Sequence, residues 1–238
     1  MRLTLLVTLP LFLACNSDKE DDTSAGTDTS TESGESGDSA EDATPVSDPS
    51  SLVGRTYGFK FGDATIAEPA ALGAIIASYV TAPVMVGVTA SDSSSIDLLG
   101  GLGVADSDPA EQDACVPTFD FPASSFGTNP DFSAGPTDAS LSIGASVPVY
   151  GLTLTGRFAE DGSDIHNGTF TGLVDTRPIG PLLSGGGGDD AVCLAAKNFA
   201  ISCVDCPGDV GTFCLNLVAE DITWLPGQGT MAASAGCE

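Results

Sequence analysis

The clearest pattern in the chain is a strict alternation of apolar with small or polar residues from Ala139 to Phe158. Successive side chains of a strand point to opposite faces of a sheet, so this alternation predicts antiparallel strands with one buried face. Proline cannot donate to a central ladder, and we therefore expect a bend around Pro148 that separates two strands. Asp161-Gly162 then predicts a hairpin turn into a strand over 165–174.

Two registers are open for this second hairpin. A two-residue loop sets Arg157 opposite His166, whereas one further loop residue pairs Leu154 with Phe170 and moves His166 onto the apolar face. A slip of one residue exchanges the two faces of a strand. We expect the second register, because it buries Phe170 together with Leu154.

The longest uncharged segment runs from Pro69 to Ser91 and has 23 residues, which is enough for a membrane-spanning helix. Proline, glycine and hydroxyl residues interrupt it, however. We therefore expect a short helix from about Pro69 to Val80 and a buried strand over 84–88, with a membrane span as the alternative.

The rest of the domain predicts further short strands and a late helix. Expected strands cover 55–61 (half-buried), 94–104, 115–121, 213–218 and the region of 222–224, and a short helix covers 191–199, capped by Asp189 or Asp190. The four glycines 185–188 are followed by no Lys-Ser or Lys-Thr, so they predict a flexible loop and not a phosphate site. The expected fold is mostly β, with about eight to ten antiparallel strands in a barrel or sandwich.

The first fifteen residues have the pattern of a secretory signal. Arg2 is followed by an uncharged, mostly apolar run from Leu3 to Leu13, and then by Ala14, Cys15 and a strongly polar stretch. As a helix, this run would reach only about half of a ~30 Å hydrocarbon core. The pattern therefore predicts a signal peptide over 1–14.

The cysteine after a small residue resembles the lipobox of bacterial lipoproteins. The resemblance implies that Cys15 carries a lipid and becomes the new N-terminus; an ordinary signal with an incidental cysteine is the alternative. Asn16 follows, not the Asp that retains many Gram-negative lipoproteins in the inner membrane. The resemblance thus implies a cell-envelope protein attached to the outer membrane.

Residues 16–50 carry eleven acidic residues and one lysine among Ser, Thr and Gly. Such a segment has little to bury, so 15–50 is expected to be a disordered tether that precedes a globular domain over 51–238. That domain holds 22 acidic and five basic residues, within a chain of formal charge −26. This charge argues against nucleic-acid binding, and it makes a covalent lipid, not a basic patch, the expected link to the membrane.

Six cysteines remain besides Cys15, and an even number in an exported chain predicts three disulfides. A hairpin centred on Gly208 and Asp209 would place Cys203 opposite Cys214. The remaining pairs would then be Cys193 with Cys206 and Cys115 with Cys237. A zinc site made of the four cysteines from 193 to 214, and a redox pair at 203 and 206, are the alternatives.

Other candidate chemistry is sparse. The acidic loop with Asp106, Asp108, Glu111 and Asp113 offers oxygen ligands for calcium, although its spacing differs from that of an EF-hand. The only histidine, His166, would have to serve any Ser-His-Asp mechanism, and no G-x-S-x-G segment occurs. We expect no catalytic residue, and no cofactor apart from calcium as an alternative.

The expected order of strand, helix, β meander, helix and strand resembles the lipocalin barrel, with Thr56 in place of the Trp of that family's G-x-W signature. The lipobox, acidic tether and cysteine-rich end together resemble uncharacterised surface lipoproteins of Gram-negative bacteria. An apolar domain without a reactive centre favours a non-enzymatic binding module for an apolar small molecule or a partner protein. The alternatives are a secreted hydrolase that uses carboxylates or a metal, and a structural or adhesion protein that binds divalent cations.

Overall fold

The computed structural model describes residues 44–183, 186–209 and 211–237. The expected signal peptide, Cys15 and nearly all of the expected tether lie outside these residues. Val46, which the sequence assigns to the tether, is buried. Its N–H donates to Asn129 Oδ1, and its carbonyl accepts from Asn129 Nδ2, both at 2.9 Å.

The described chain is mostly antiparallel β, as predicted. Eleven strands occur: β1 Thr56–Phe59, β2 Thr65–Glu68, β3 Val84–Ser91, β4 Ser95–Leu102, β5 Phe119–Asp120, β6 Ser124–Ser125, β7 Asp131–Ser142, β8 Ser146–Phe158, β9 Ile165–Asp175, β10 Val204–Asp205 and β11 Thr212–Pro226. The helices are α1 Gly73–Tyr79 and α2 Ala191–Lys197, with short 3-10 segments at Pro49–Leu52, Phe61–Asp63, Ala70–Leu72 and Arg177–Leu182. The expected helix within 69–80 and the buried strand from Val84 are therefore confirmed. Within the described ranges, every helix is too short or too polar to cross a lipid bilayer.

The strands form one sheet in the order β5-β4-β3-β1-β11-β9-β8-β7, with β2 and β10 on β11 and β6 on β4. The long strand β11 joins its two halves, because β11 pairs with β9 along 214–224 and with β1 at 225–226. The two ends of the sheet approach each other where the Thr137 hydroxyl of β7 donates to the Asp120 carbonyl of β5 at 3.2 Å. The sheet is thus barrel-like and nearly closed.

Aromatic side chains from distant parts of the chain fill the core. Phe59 packs edge-on against Trp224, with 4.5 Å between ring centroids. Phe61 makes the same kind of contact with Phe170 at 5.4 Å. Edge-to-face pairs of this kind stabilise beyond the area they bury, so these rings hold β1, β9 and β11 together.

A second, smaller apolar layer covers the outside of β1, β3 and β4. It consists of Met85, Leu99 and Met231, with Ala110 packed against them. A Cβ at Gly58 of β1 would lie 2.7 Å from the Ala110 Cβ, so only glycine fits under this layer. The prediction that β1 is half-buried is therefore wrong: all four of its residues are buried, because the C-terminal segment folds back over its outer face.

The first predicted hairpin exists, but its turn lies elsewhere. The chain reverses at residues 143–145, where Gly144 has a φ of +86°, and not around Pro148. Pro148 lies inside β8 and pairs with Ser140, while the pairing of β8 with β9 begins one residue later, at Val149. A proline is tolerated at this position because β8 has a partner on only one side there.

Both registers of the second hairpin are present. Leu154 pairs with Phe170, as we expected, but Arg157 pairs with His166, as the other register requires. A β-bulge between these two pairs absorbs the difference, with Asn167 at a φ of +50°. The expectation that His166 lies on the apolar face is wrong, since its side chain is exposed.

Candidate functional site

The most distinctive concave feature of the described residues is an apolar pocket of about 160 Å³ at one end of the β8–β9 hairpin. Its wall combines residues of α1, the β7–β8 turn region, the 3-10 turn after β9, α2 and β11. The lining residues are Phe61, Pro69, Leu72, Ile75, Ile76, Tyr79, Val80, Leu141, Ile143, Val147, Val149, Val174, Thr176, Ile179, Leu182, Leu183, Val192, Leu215, Asn216 and Leu217. Thr176 and Asn216 are the only residues with polar side chains among them besides Tyr79.

Helix α1 and the turn before it form one side of the pocket with a single helical face. Leu72, Ile75, Ile76 and Tyr79 have the spacing i, i+3, i+4 and i+7, which places them along one stripe of a helix. Such a stripe normally packs into a core. Here Ile75 and Tyr79 are 46% and 57% exposed, so the stripe leaves the pocket open to solvent at its mouth.

Strand β11 forms the floor of the pocket at the point where one of its edges is unpaired. β10 pairs with β11 as far as Cys214, and β2 pairs with it again from Val218. Leu215, Asn216 and Leu217 lie between these two short partners and line the pocket. This stretch of β11 therefore has a strand partner on one side only, where Leu215 and Leu217 lie opposite Val174 and Gly172 of β9.

An ion-pair cluster fixes the 3-10 turn that carries Ile179 and Leu182. The nearly buried Asp175 carboxylate accepts hydrogen bonds from the Arg177 backbone N–H at 3.0 Å and from its guanidinium at 2.6 Å. Arg177 also pairs with Asp209, and it lies 5.3 Å from the centre of the Phe213 ring. The turn is thus tied both to the end of β9 and to the β10–β11 connection.

The electrostatics of this cluster favour its charged state. Burial alone would raise the pKa of Asp175, but the hydrogen bonds from Arg177 outweigh burial and lower the pKa below its ordinary value. Hydrogen bonds to Asp175 and Asp209 raise the pKa of Arg177. Both shifts favour the charged forms, so Asp175 and Arg177 stay ionised across the physiological range.

Two disulfides hold the remaining wall, and their pairing differs from the prediction. The bonds are Cys193–Cys203 and Cys206–Cys214, whereas we expected 203 with 214 and 193 with 206. The reason is a bulge in the β10–β11 hairpin, which sets Val204 and not Cys203 opposite Cys214. The third predicted bond, Cys115–Cys237, is present.

The disulfides also bring α2 to the pocket. Cys193 follows the lining residue Val192, and Cys214 precedes the lining residue Leu215. The Thr176 hydroxyl lies 2.6 Å from the Phe213 carbonyl and 3.4 Å from Cys193 Sγ. α2 begins as predicted, with Asp190 at the N-cap position but without a side-chain cap.

The predicted calcium candidates do not converge in the structure. Asp113 Oδ1 accepts from the Cys115 N–H at 2.9 Å, which uses it to shape its own loop. Asp106, Asp108 and Glu111 belong to the turns of the same exposed segment. Within the part of the chain that the structure describes, no three His, Cys, Asp or Glu side chains meet in a way that could hold a metal ion.

His166 lies in a row of charged side chains on the outer surface of the sheet. Its Nε2 is 2.9 Å from Asp164 Oδ1, a residue two positions earlier in the chain. The contact is close but not an aligned hydrogen bond, since this oxygen has no hydrogen-bond partner among the described residues. Arg157, opposite His166, is paired with Asp131 at 2.8 Å. This arrangement is typical of a surface ion-pair row.

Cys15, the predicted lipidation site, lies outside the described residues, and so does Gly185 of the glycine run. The sequence patterns above did not predict the pocket residues as a site. The apolar helical stripe that ends in Tyr79 could have predicted the pocket. The helix that carries it is too short to be buried on all sides. Comparisons of the chain with protein-family models, with curated proteins and with solved structures found no match.

Proposed function

We propose that this chain is a non-enzymatic binding module of the bacterial cell envelope, which holds an apolar small molecule in the pocket of α1, α2 and β11. A lipid on Cys15 would attach it to the outer membrane. The observation that supports the binding role is the pocket itself: twenty lining residues, of which seventeen have apolar side chains. The anchoring role is supported by the pattern of Met1 to Cys15 alone.

The size of the pocket favours a small ligand or the end of a longer one. An engineered protein cavity of about 150 Å³ lined by Leu, Ile and Phe stays dry and binds benzene. The present pocket has about 160 Å³ and a similar lining. It therefore suits a benzene-sized ring or about six carbons of an alkyl chain, and the open mouth at Tyr79 lets a longer chain extend outward.

The expected affinity follows from the buried area. Each CH₂ group that leaves water contributes about 0.8 kcal/mol, so six such groups contribute about 5 kcal/mol. This corresponds to a Kd on the order of 0.1–1 mM for the alkyl portion alone. Further contacts at the mouth, with Ile75 and Leu182, would tighten binding.

The pocket lies far from the point where the N-terminal segment enters the domain. Val46 lies beside Glu160 and Asp161, at the β8–β9 turn, whereas the pocket contacts Val149 and Val174, at the opposite end of the same hairpin. About eleven residues of strand separate the two places, which is roughly 35 Å. Val46 therefore does not lie beside the mouth of the pocket.

The test is a titration of the ¹⁵N-labelled domain with 1-octanol, followed by NMR. Binding in the pocket predicts saturable shifts of amides in α1, α2 and the 215–217 stretch. The Val192→Phe variant fills the pocket from α2 and should weaken binding at least tenfold. The matched Val53→Phe variant changes an exposed residue that lies outside the lining, and it should bind like the parent.

Folding of both variants is checked by urea unfolding before the titration. If 1-octanol gives no saturable shifts, or if Val53→Phe weakens binding as much as Val192→Phe does, the pocket is not the binding site and the proposal fails.

A further inference from the structure

We infer that the pocket takes the methyl end of an alkyl or acyl chain and leaves the polar head group of the same molecule outside, at the mouth. The pocket then selects ligands by the far end of their chain and not by their head group. This inference rests on the proposed function, since it specifies which part of an amphiphile occupies the pocket and in which direction the molecule enters.

The pocket has a deep end and an open end. Phe61 and Val149 line it and are almost completely buried, so they belong to its deep end. Ile75, Tyr79 and Leu182 also line it, but 40% to 57% of each is exposed, so they surround its mouth. A chain that is longer than the pocket must therefore leave through the mouth.

Thr176 has the only buried polar side chain of the lining, and its hydroxyl is already engaged. The residue is 1% exposed. Its hydroxyl donates its only proton to the Phe213 carbonyl at 2.6 Å, and the same oxygen lies 3.4 Å from Cys193 Sγ. A polar ligand atom inside the pocket can therefore receive no hydrogen bond from Thr176.

The side chain of Asn216 lies on the other face of β11. This strand pairs residue by residue with β9 from Cys214 to Ala219, and regular pairing points successive side chains to opposite faces. Leu215 and Leu217 are buried, whereas Asn216 between them is exposed. The Asn216 amide is thus directed away from the face on which the two leucines form the apolar floor.

Tyr79 is the third lining residue with a polar side-chain group, and it belongs to the mouth. More than half of it is exposed, so it meets the part of a ligand that stays near solvent. The surface inside the pocket is almost wholly apolar, so peptide groups of the wall do not replace these side chains as hydrogen-bond partners. The deep end therefore suits a methyl group and offers a hydroxyl no partner.

The missing partner sets the size of the selectivity. A hydroxyl that leaves water without making a new hydrogen bond loses free energy equivalent to about 5-fold to 150-fold in Kd. A head group that stays at the mouth keeps its contacts with water. We therefore expect a strong dependence of Kd on the chain end and a weak dependence on an uncharged head group.

The first test compares three uncharged ligands with the same chain length: 1-octanol, octanamide and 1,8-octanediol. Each is titrated into the labelled protein and followed by NMR. 1-Octanol and octanamide share a methyl end and differ in the head group, so their Kd values should agree within about threefold. 1,8-Octanediol has no methyl end and must bury a hydroxyl, so it should bind about 30-fold more weakly than 1-octanol.

The second test measures the orientation of 1-octanol in the parent protein. Intermolecular nuclear Overhauser effects should connect the terminal methyl group with Phe61 and Val149, and the hydroxymethyl group with Tyr79. This measurement needs no substitution and so does not depend on the folding of a variant. Contacts of the hydroxymethyl group with Phe61 and Val149 would overturn the inference.

A matched pair of variants assigns the selectivity to the pocket. Val174 lines the pocket and is half-buried, so Val174→Thr keeps the shape of the wall and adds a hydroxyl to it. One new hydrogen bond should bring the Kd of 1,8-octanediol about fivefold closer to that of 1-octanol. Val88→Thr makes the same change at a buried position outside the lining, and it should leave the ratio unchanged. Urea unfolding first establishes that both variants fold.

Saturable 1-octanol binding with an equal affinity for 1,8-octanediol would overturn this inference and leave the proposed function standing. A difference of more than about tenfold between 1-octanol and octanamide would also overturn it, because the head group would then be recognised. Equal ratios in Val174→Thr and Val88→Thr would do the same, because the pocket wall would not be responsible. Absence of 1-octanol binding would overturn the proposed function itself, and the inference with it.

Discussion

Asp175 and Arg177 form a hydrogen-bonded ion pair in which the carboxylate side chain is 4% exposed and the arginine is 29% exposed. Removing one partner of a buried pair normally costs more than the pair contributes, because the other charge stays behind in a poorly hydrated place. The exposure of Arg177 and its second partner, Asp209, moderate this cost. The pair holds the 3-10 turn whose Ile179 and Leu182 line the pocket, and it therefore links stability to the shape of the site.

The Asp175→Asn variant should be less stable than the parent at pH 7. It loses charge-assisted hydrogen bonds from Arg177, which predicts a decrease of about 2 kcal/mol in the free energy of unfolding. Urea unfolding monitored by circular dichroism measures it. The Asp209→Asn variant is the control: it removes the more exposed partner of the same arginine, and it should cost less than about 1 kcal/mol.

The same pair predicts how stability depends on pH. The pKa of Asp175 is lower in the folded protein than its ordinary value of 3.8, so the stabilisation by this group is complete above about pH 5 and is lost as pH falls through the folded pKa. Asp92, with a pKa lowered to about 2 by hydrogen bonds from Ser94, acts in the same direction. The parent should therefore lose more stability between pH 5 and pH 2 than Asp175→Asn does. Parallel pH profiles of the two proteins would contradict this assignment.

Substitutions at Asn167 should show whether the bulge requires a residue that tolerates the left-handed backbone conformation. Its φ of +50° lies in the bulge between β8 and β9, a conformation that asparagine tolerates and a β-branched residue does not. Asn167→Val should lower the free energy of unfolding by about 1–2 kcal/mol, and Asn167→Gly should change it by less than about 0.5 kcal/mol. Thr169→Val, on the same strand, is the control and should also stay within about 0.5 kcal/mol. Equal costs at 167 and 169 would show that the bulge imposes no strain.

This bulge also explains which part of the β structure was predictable. The alternation of apolar and polar residues predicted β8, β9 and the pair of Leu154 with Phe170. It could do so because each strand shows in its own sequence which of its residues are buried. It offered the pair Arg157 and His166 only as the alternative register and did not predict that both pairs occur, because an extra residue in one strand changes the face of everything beyond it without changing the composition. The same one-residue difference between β10 and β11 made the predicted partner of Cys214 wrong.

Features made by distant segments were not predictable from local patterns. The outer face of β1 is buried only because Ala110 and Met231 pack over it, and neither segment has the pattern of a strand or helix. The pocket likewise needs α1, α2 and β11 to meet, and each of these shows only its own apolar face in the sequence. Cysteine parity, in contrast, correctly predicted the three bonds, because an even number of cysteines can pair completely whatever their positions.

The disulfide Cys115–Cys237 should contribute more to stability than Cys206–Cys214. Its residues are separated by 122 positions, against 8 for the local bond. In the chain-entropy model these separations correspond to about 5 and about 2.5 kcal/mol. Double Cys→Ser variants of each pair, unfolded in urea, should therefore differ by about 2 kcal/mol. Equal losses would mean that the unfolded chain without this disulfide keeps its C-terminal segment packed over Met85 and Leu99. Other contacts of the segment, among them those of Met231, would then replace the constraint of the disulfide.

The role of Cys15 as a lipid attachment site rests on the sequence pattern alone. The acidic surface gives no attraction to anionic head groups, so a covalent lipid would be the link to the membrane. A lipid attached to this residue would make the protein partition into detergent and remain with the outer membrane. Cys15→Ser should abolish lipid attachment, so that the chain either keeps residues 1–14 or is released in soluble form. Metabolic labelling with a fatty acid, mass spectrometry of the N-terminus and membrane fractionation measure these outcomes. Ser17→Ala is the control, since it changes a neighbouring residue and leaves Cys15 in place. A Cys15→Ser variant with the mobility and detergent partitioning of the parent would show that Cys15 carries no anchor.

Fractionation of the parent with the inner membrane would reject the placement based on Asn16 and leave the lipid attachment intact.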